Sequence, residues 1–177
     1  MRMIRRLFMY VIGLVVILVL GAYALPREVT VKRGVVIDAP VETVFLLVNS
    51  LKRMSGWSPW IGRDPAIKLV FSGPDAGVGA TMGWSSVMEQ VGNGTQEITQ
   101  SIVNARVESR LVFGQMRPSV AVFDLTTEEL GTRVEWSLIS DMGMNPVGRW
   151  MGLMMDRWIG PDFETGLAHL KAQAETR

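Results

Sequence analysis

The pattern of hydrophobic and polar positions changes several times along the chain, and its first segment is almost entirely apolar. No residue between Leu7 and Leu25 carries a charge. As a helix rising about 1.5 Å per residue, this run is about 28 Å long, close to the hydrocarbon thickness of a bilayer. The pattern predicts one N-terminal transmembrane helix, so residues 1–26 are interpreted as a membrane anchor.

The residues that flank the apolar run predict its orientation. It is preceded by three arginines, Arg2, Arg5 and Arg6. The positive-inside rule therefore places the N-terminus in the cytoplasm and the rest of the chain on the outer, periplasmic side of the inner membrane, although basic residues also follow Pro26. Two alternatives stay open. The A-x-A pattern at residues 22–24 is typical of a cleaved signal peptide, which would make the protein secreted, and a buried helix of a soluble core is the other.

The chain after the anchor begins with alternating apolar and polar positions. Residues 28–37 are rich in β-branched side chains and predict a strand. Asp38 and Pro40 then provide a cap and a first helical turn. Over residues 41–54 the apolar positions recur at helical spacing, which predicts an amphipathic helix.

Residues 67–140 contain about six short runs with period-two alternation, separated by turn residues. In one of these runs Val134, Trp136 and Leu138 point to one face, and the polar residues between them point to the other. Short connections make neighbouring strands antiparallel. We therefore predict an antiparallel sheet with one buried face and one solvated face.

The C-terminal segment returns to helical spacing. Asn145 and Pro146 are typical of a helix start, and Gly160-Pro161 is expected to interrupt or kink the helix. The helical pattern then resumes, with Phe163, Leu167 and Leu170 as apolar positions. The predicted apolar face of the first part comprises Val147, Trp150, Met151, Met154, Met155 and Trp158. Because the buried face of a sheet needs a cover, we predict that this helix packs on it. Residues 27–177 are then one α+β domain, a curved antiparallel sheet wrapped around a long C-terminal helix.

The order of these elements, together with four stretches, resembles a known family. The stretches are "VVIDAPVETVFLLVNSLKRMSGWSPWIGRDP", "FSGPDAGVGATMGW", "GTRVEWSL" and "NPVGRWMGLMMDRWIGPDFETGLAHLK". They are similar to the polyketide cyclase/dehydrase and lipid-transport group of the START-like, helix-grip (SRPBCC) superfamily, of the membrane-anchored bacterial type. The resemblance implies a deep apolar cavity between the sheet and the C-terminal helix. It implies no invariant catalytic set.

Charge and composition exclude several other kinds of site. The net charge of +1 lacks the basic excess of a nucleic-acid-binding protein, and the absence of Cys excludes thiolate chemistry. No cluster has the spacing of metal ligands, so no metal and no cofactor is predicted. The one histidine, His169, lies between Leu167 and Leu170 and is interpreted as structural, and Ser58 before Pro59 as a turn residue.

One carboxylate is a weak candidate for catalysis. Asp124 shares a strand face with Val120 and Val122. If that face pointed into an apolar cavity, desolvation would raise the pKa of the carboxyl group, which would then suit acid–base work. The alternative is an exposed position at the end of a strand.

Aromatic and methionine side chains are the main candidates for a ligand cavity. Methionine packs adaptably and suits a cavity for varied apolar ligands. We interpret Trp57 and Trp60, in the loop "GWSPW", as lid or rim residues, with a core position as the alternative. The predicted cavity residues are Trp57, Trp60, Phe71, Trp84, Phe113, Phe123, Trp136, Trp150, Met151, Met154, Met155 and Trp158.

These observations favour a binding module over an enzyme. The main hypothesis is that the cavity binds a lipid or another hydrophobic small molecule at the membrane surface, with Arg149, Arg157 or Asp124 orienting it. One alternative is a polyketide cyclase/dehydrase-like enzyme that uses a cavity carboxylate. Another is a non-catalytic envelope domain that binds a protein. The sequence determines neither the ligand nor the oligomeric state.

Overall fold

The computed structural model describes residues 2–176 and places them in five helices, a short 3-10 turn and seven strands. Met1 and Arg177, the outer ends of the two predicted segments, lie outside the described residues, as does the side chain of Arg2. The helices are α1 (Arg2–Ala24), α2 (Val41–Val48), α3 (Leu51–Met54), α4 (Pro146–Gly152) and α5 (Met155–Glu175), and the 3-10 turn is Ile61–Arg63. The strands are β1 (Glu28–Ile37), β2 (Lys68–Ser72), β3 (Thr81–Ser85), β4 (Asn93–Ile102), β5 (Arg106–Phe113), β6 (Ser119–Glu128) and β7 (Gly131–Asp141).

The seven strands form one curved antiparallel sheet in the order β1-β7-β6-β5-β4-β3-β2. All neighbours except β1 and β7 are consecutive in the chain, because short turns connect antiparallel strands directly. The first strand pairs with the last over its full length, from Glu28 opposite Asp141 to Ile37 opposite Thr132. The α+β helix-grip fold and the antiparallel sheet predicted from the alternation are confirmed.

The two ends of the sheet differ in the elements that adjoin them. We call the end where β1 begins and β7 ends the α1 end, since α1 leads directly into β1 there. The opposite end, where β1 ends at Ile37, is the far end. Helix α5 begins at the α1 end and runs to the far end, where Glu175 accepts a hydrogen bond of 2.7 Å from the backbone N–H of Asp38.

Helix α5 crosses the inner face of the sheet and lies against β1 and α2. Near its start the guanidinium of Arg33 on β1 pairs with Asp156 and Glu164 of α5, both at 2.8 Å. Gly160 lies between these two acids on the same helix face, and a Cβ there would collide with the guanidinium of Arg33. Near the end of α5, Lys171 donates to the carbonyl of Val36.

The apolar face predicted for the first part of the C-terminal segment is wrong, whereas Phe163, Leu167 and Leu170, the apolar positions of its second part, are buried as expected. The side that packs against the sheet and α2 consists of Gly160, Phe163, Gly166, Leu167, Leu170 and Ala174, whereas most of the predicted face is exposed. The helix approaches the sheet so closely that a Cβ on Gly166 would lie 2.8 Å from the ring of Trp136. Close approach selects the face with small residues, and large side chains cannot occupy that contact.

The helix also breaks at a different place from the one predicted. The break lies at Leu153 and Met154, between α4 and α5, and not at Gly160-Pro161. Pro161 stands inside α5, where it removes one backbone donor without ending the helix. Helix α4 begins as predicted at Asn145, whose side chain accepts a hydrogen bond of 2.9 Å from the N–H of Val147.

Helix α1 is long and apolar enough, over Met3–Ala24, to span a membrane or to be a signal sequence. Its last turn is fastened to α4. The buried guanidinium of Arg149 donates to the carbonyl oxygens of Tyr23 and Leu25, at 3.3 and 3.1 Å, and lies over the ring of Tyr23. These carbonyls belong to the open end of a helix, which a cation stabilises.

Candidate functional site

The two tryptophans of the loop "GWSPW" have different positions. Trp57 is 2% exposed, and its ring contacts Phe123 and Trp136 edge-on, with centroids 5.9 and 5.7 Å apart. Its indole N–H points to the carbonyl of Leu47 at 3.5 Å. Trp60 is partly exposed. The structure thus places Trp57 in the core, which is the alternative interpretation of the sequence, and Trp60 near the surface.

An aromatic stack occupies the centre of the interior. Trp136 on β7 stacks on Phe123 of the neighbouring strand at 4.9 Å and on Phe163 of α5 at 4.0 Å, with the last two rings nearly parallel. Trp60 contacts Trp136 and Phe163 edge-on at 5.6 and 6.1 Å. Offset and edge-on pairs of this kind stabilise a core beyond the area that they bury. The stack joins the sheet, α5 and the tryptophan loop.

A carboxylate on α5 holds the tryptophan loop in place. Asp162 accepts a hydrogen bond of 3.0 Å from the indole N–H of Trp60 and pairs with the guanidinium of Arg63. Both donors belong to the loop that follows α3. Because the side chain of Asp162 is mostly buried, these charge-assisted bonds fix the distance between loop and helix.

A second carboxylate fixes the other side of the same loop. Asp64 is buried and accepts hydrogen bonds from the hydroxyl of Ser86 at 2.5 Å and from the N–H of Ala66 at 2.8 Å. Ser86 lies just after β3, so this contact ties the loop to the β3–β4 connection.

A ring of partly exposed apolar side chains surrounds the interior at the α1 end. On the sheet side, Trp84 and Phe113 form an edge-on pair with centroids 5.4 Å apart. On the opposite side stand the first turns of α5 and the 3-10 turn. The members of this ring, which we call the rim, are Trp60, Ile61, Trp84, Leu111, Phe113, Met155 and Ile159. The rim is the part of the interior that solvent reaches.

Polar atoms also point into this interior. The hydroxyl of Ser109 and the indole N–H of Trp136 are buried without a hydrogen-bond partner among the described residues. The amide of Gln96 is buried as well, and its Nε2 donor bonds to the sulfur of Met54 at 3.6 Å, a weak acceptor. An unpaired buried polar group costs about 1–3 kcal/mol. Reasoning from the sequence missed Ser109 and Gln96, although both occupy inward positions of alternating strands.

The predicted cavity residues fall into four groups. Trp57, Phe123 and Trp136 belong to the buried core, and Trp60, Trp84, Phe113 and Met155 to the rim. Phe71 lies at the far end, beside a surface pocket of about 100 Å³ that Lys52 and Asp75 also line. The other four predicted residues are exposed on the outside of the α4–α5 region, namely Trp150, Met151, Met154 and Trp158.

The structure places Asp124 on the outer face of the sheet. Phe123, the preceding residue, stacks in the interior, so the side chain of Asp124 points the other way. There it accepts a hydrogen bond of 2.7 Å from Arg106 on the neighbouring strand, and it is 41% exposed. The interpretation of Asp124 as a cavity carboxylate is therefore wrong, because the alternation of β6 directs it to solvent.

The other polar residues considered from the sequence also lie outside the interior. The guanidinium of Arg149, a candidate for orienting a ligand, donates its hydrogen bonds to the end of α1 instead. His169 is exposed on α5, with its Nδ1 atom 3.3 Å from the carbonyl of Trp57. Arg157 is exposed near the start of α5. Within residues 2–176 no group of three or more acidic or histidine side chains is placed to hold a metal.

A seven-stranded antiparallel sheet around a C-terminal helix, with an apolar interior between them, defines a helix-grip protein. A family model described as "Polyketide cyclase / dehydrase and lipid transport" matches residues 28–175. The chain belongs to this family, as the resemblance of its sequence indicates. No curated protein matches the chain.

Solved structures share the fold at low sequence identity. Protein CV1439 from Chromobacterium violaceum is 16% identical, with a TM-score of 0.56 over 84% of this chain and 98% of that one. The Aha1 dimer from Colwellia psychrerythraea is 20% identical, with a TM-score of 0.57 over 84% and 97%. StfQ, the di-domain ARO/CYC of the steffimycin biosynthetic pathway, is 10% identical, with a TM-score of 0.62 over 84% and 51%. At these identities the likeness shows the fold alone.

Proposed function

We propose that this protein binds a lipid or another hydrophobic small molecule in the interior between the sheet and α5, and that α1 anchors it in a membrane. The ligand enters through the rim at the α1 end. The observation that carries this proposal is the rim itself, a ring of partly exposed apolar side chains at one end of an interior that contains buried polar atoms without partners among the described residues. Folded proteins rarely leave such atoms without partners unless a ligand or solvent supplies them.

The polar atoms define the chemistry of the ligand. The indole of Trp136 only donates, so it favours a carbonyl, ether or hydroxyl oxygen on the ligand. The hydroxyl of Ser109 both donates and accepts. An apolar body with one or two oxygen atoms therefore fits this interior better than a pure hydrocarbon does. A few polar groups in an apolar site are enough to orient a small molecule.

The membrane part of the proposal depends on α1. This helix exposes apolar side chains along nearly its whole length and packs on the domain only through its last turns. An isolated apolar helix in water is unfavourable, whereas a bilayer of about 30 Å matches its length. Anchoring there keeps the rim close to a source of lipid.

The experiment uses full-length protein extracted from membranes in detergent. Co-purifying small molecules are identified by mass spectrometry, and binding is measured by displacement of a fluorescent fatty acid. Leu111→Trp adds an indole to the rim, and we expect it to weaken probe binding about tenfold or more by filling the site. Val70→Trp is the matched control, because Val70 is 69% exposed on the outer face of the same sheet.

The two variants separate a specific site from surface adsorption. The proposal predicts that the Val70 variant binds the probe like the unaltered protein. Equal binding by both variants, together with no co-purifying molecule, would contradict the proposed site.

A further inference from the structure

The α4–α5 region exposes far more large apolar side chains than its surroundings. Trp158 is 52% exposed and Val147 64%, and both project outward from helices whose opposite sides are buried. Such a patch on a soluble surface marks an interaction site. We call it the apolar ledge, and it consists of Met144, Val147, Trp150, Met151, Leu153, Met154 and Trp158.

The ledge is continuous with α1. The indole N–H of Trp150 donates to the carbonyl of Leu18 on α1 at 3.0 Å, and the same ring approaches Gly21 so closely that a Cβ there would lie 3.4 Å away. Arg149 binds the last carbonyls of α1 from the neighbouring position. Helix α4 therefore lies alongside the final turns of α1, and these contacts hold α1 directly against the domain.

The position of Trp150 along α1 defines a depth. Leu18 precedes Leu25, the end of the uncharged run, by seven residues, which is about 10 Å along a helix. Trp150 is therefore level with the part of α1 between the end of the apolar run and about 10 Å inside it. Amphipathic helices at a membrane surface bury their apolar side to about this depth.

A group of ion-paired side chains lies at the border between the ledge and the rest of the domain. Asp141 pairs with Arg27 through two bonds, at 2.8 and 2.6 Å, and also with Arg117. These residues lie at the point where α1 ends and β1 begins. Charged side chains favour the water and headgroup level, and tryptophans favour the boundary just below it.

We propose that the apolar ledge inserts into the lipid bilayer beside α1, in the leaflet nearest the domain, as a second membrane contact. This inference rests on the proposed role of α1 as a membrane helix and adds a fixed orientation of the domain. A bilayer is the occupant that fits, because the ledge is continuous with α1 and contains two tryptophans.

The insertion has a consequence for the binding site. Met154 of the ledge directly precedes α5, and Trp158 of the ledge lies in its first turn, next to Met155 and Ile159 of the rim. A ledge in the bilayer therefore brings the rim to the lipid surface. A lipid then passes from the leaflet to the interior along the start of α5, with little exposure to water.

The absence of cysteine from the chain allows a direct test by site-specific labelling. Single cysteines replace Val147 and Leu153 of the ledge in full-length protein, which is labelled with bimane and reconstituted in vesicles of phosphatidylcholine with some phosphatidylglycerol. Quenching by doxyl groups placed shallow or deep in the lipid chains reports depth. Val11→Cys in the middle of α1 is the anchor control, and Thr165→Cys on the exposed side of α5 is the solvent control.

We expect shallow doxyl groups to quench the Val147→Cys and Leu153→Cys labels at least about twofold more than the Thr165→Cys label, because the ledge lies at the chain–headgroup boundary. The deep doxyl group should quench the Val11→Cys label most. Quenching at Val11 without quenching at the ledge would overturn the inference and leave the anchor intact.

Two further outcomes also contradict the inference. If the Val11→Cys label is not quenched, the proposed anchor itself fails, and the ledge proposal fails with it. If the ledge labels escape lipid quenching and the Leu153→Cys protein instead forms disulfide-linked dimers in the vesicles, a second copy of the chain covers the ledge.

Discussion

The far end and the α1 end of this domain share one sheet and one helix, yet they are held together differently. At the far end Ile37, Val44, Ile98, Val134 and Leu170 are completely buried. At the α1 end the side chains of the rim are partly exposed, and ion pairs connect α5 with β1 and with the loop of Trp60. Apolar packing thus buries the side chains of the far end completely, whereas the rim at the α1 end stays partly accessible to solvent.

The path of α5 explains this difference. Arg33 pairs with Asp156 and Glu164 and thereby holds the first half of α5 against β1, at one edge of the sheet. The middle strands at that end are then covered mainly by the loop of Trp60. At the far end, α2, α3 and Trp57 fill the corresponding space. At the α1 end, ion pairs and partly exposed side chains thus take the place of this apolar packing.

The largest predicted difference in the free energy of unfolding is between one apolar truncation at the far end and one at the α1 end. Leu170→Ala removes a completely buried side chain and should lower the free energy of unfolding by about 2–5 kcal/mol. Ile159→Ala at the partly exposed rim should cost clearly less, about 1 kcal/mol, because less packing is lost. Denaturant unfolding in detergent micelles measures both. A rim truncation as costly as the core truncation would mean that the two ends are packed alike.

A smaller effect is expected where α5 touches the aromatic stack between the two ends. Gly166→Ala would place a methyl group 2.8 Å from Trp136 and 3.1 Å from Pro59, and we expect a loss of about 1–3 kcal/mol. Gly62→Ala is the matched control, since a Cβ at Gly62 meets nothing within 4 Å. The midpoint of thermal unfolding reports both variants. If Gly166→Ala left the midpoint of thermal unfolding unchanged, the aromatic stack would have to move aside at little cost in free energy.

The smallest predicted effect concerns the ion pairs of the α1 end. The guanidinium of Arg27 and the N–H of Gly143 hold the pKa of Asp141 well below its ordinary value of 3.8. A lowered folded-state pKa contributes stability above the ordinary value, and this contribution is lost as the pH falls below it. Asp141→Asn should therefore be less stable than the unaltered protein at neutral pH, and the gap should narrow towards about pH 3.

Thermal unfolding of both proteins across this pH range gives the comparison. The pair is largely exposed, so the gap is expected to be small and to shrink in high salt. If the stability difference between the unaltered protein and Asp141→Asn increased as the pH falls, titration of Asp141 would not explain the pH dependence of stability.

Much of the fold was predictable because it follows from local periodicity. Alternation in the stretches around Trp84 and Trp136 predicted strands with one inward face, and both rings do point inward. The site was less predictable. Aromatic content alone did not distinguish Trp57, which lies in the core, from Trp84 at the rim or from Trp150 on the ledge.

Local apolar spacing, within about ten positions, was enough to specify the strands, the helical segments and the end of the N-terminal apolar helix, but not the break between α4 and α5. The buried side of the C-terminal helix, in contrast, depended on tertiary packing. That segment has apolar residues on two sides, and the choice depends on glycines that allow close approach and on Arg33, more than 120 residues away along the chain. Periodicity describes a segment alone, whereas burial also depends on the shape and charge of its partner.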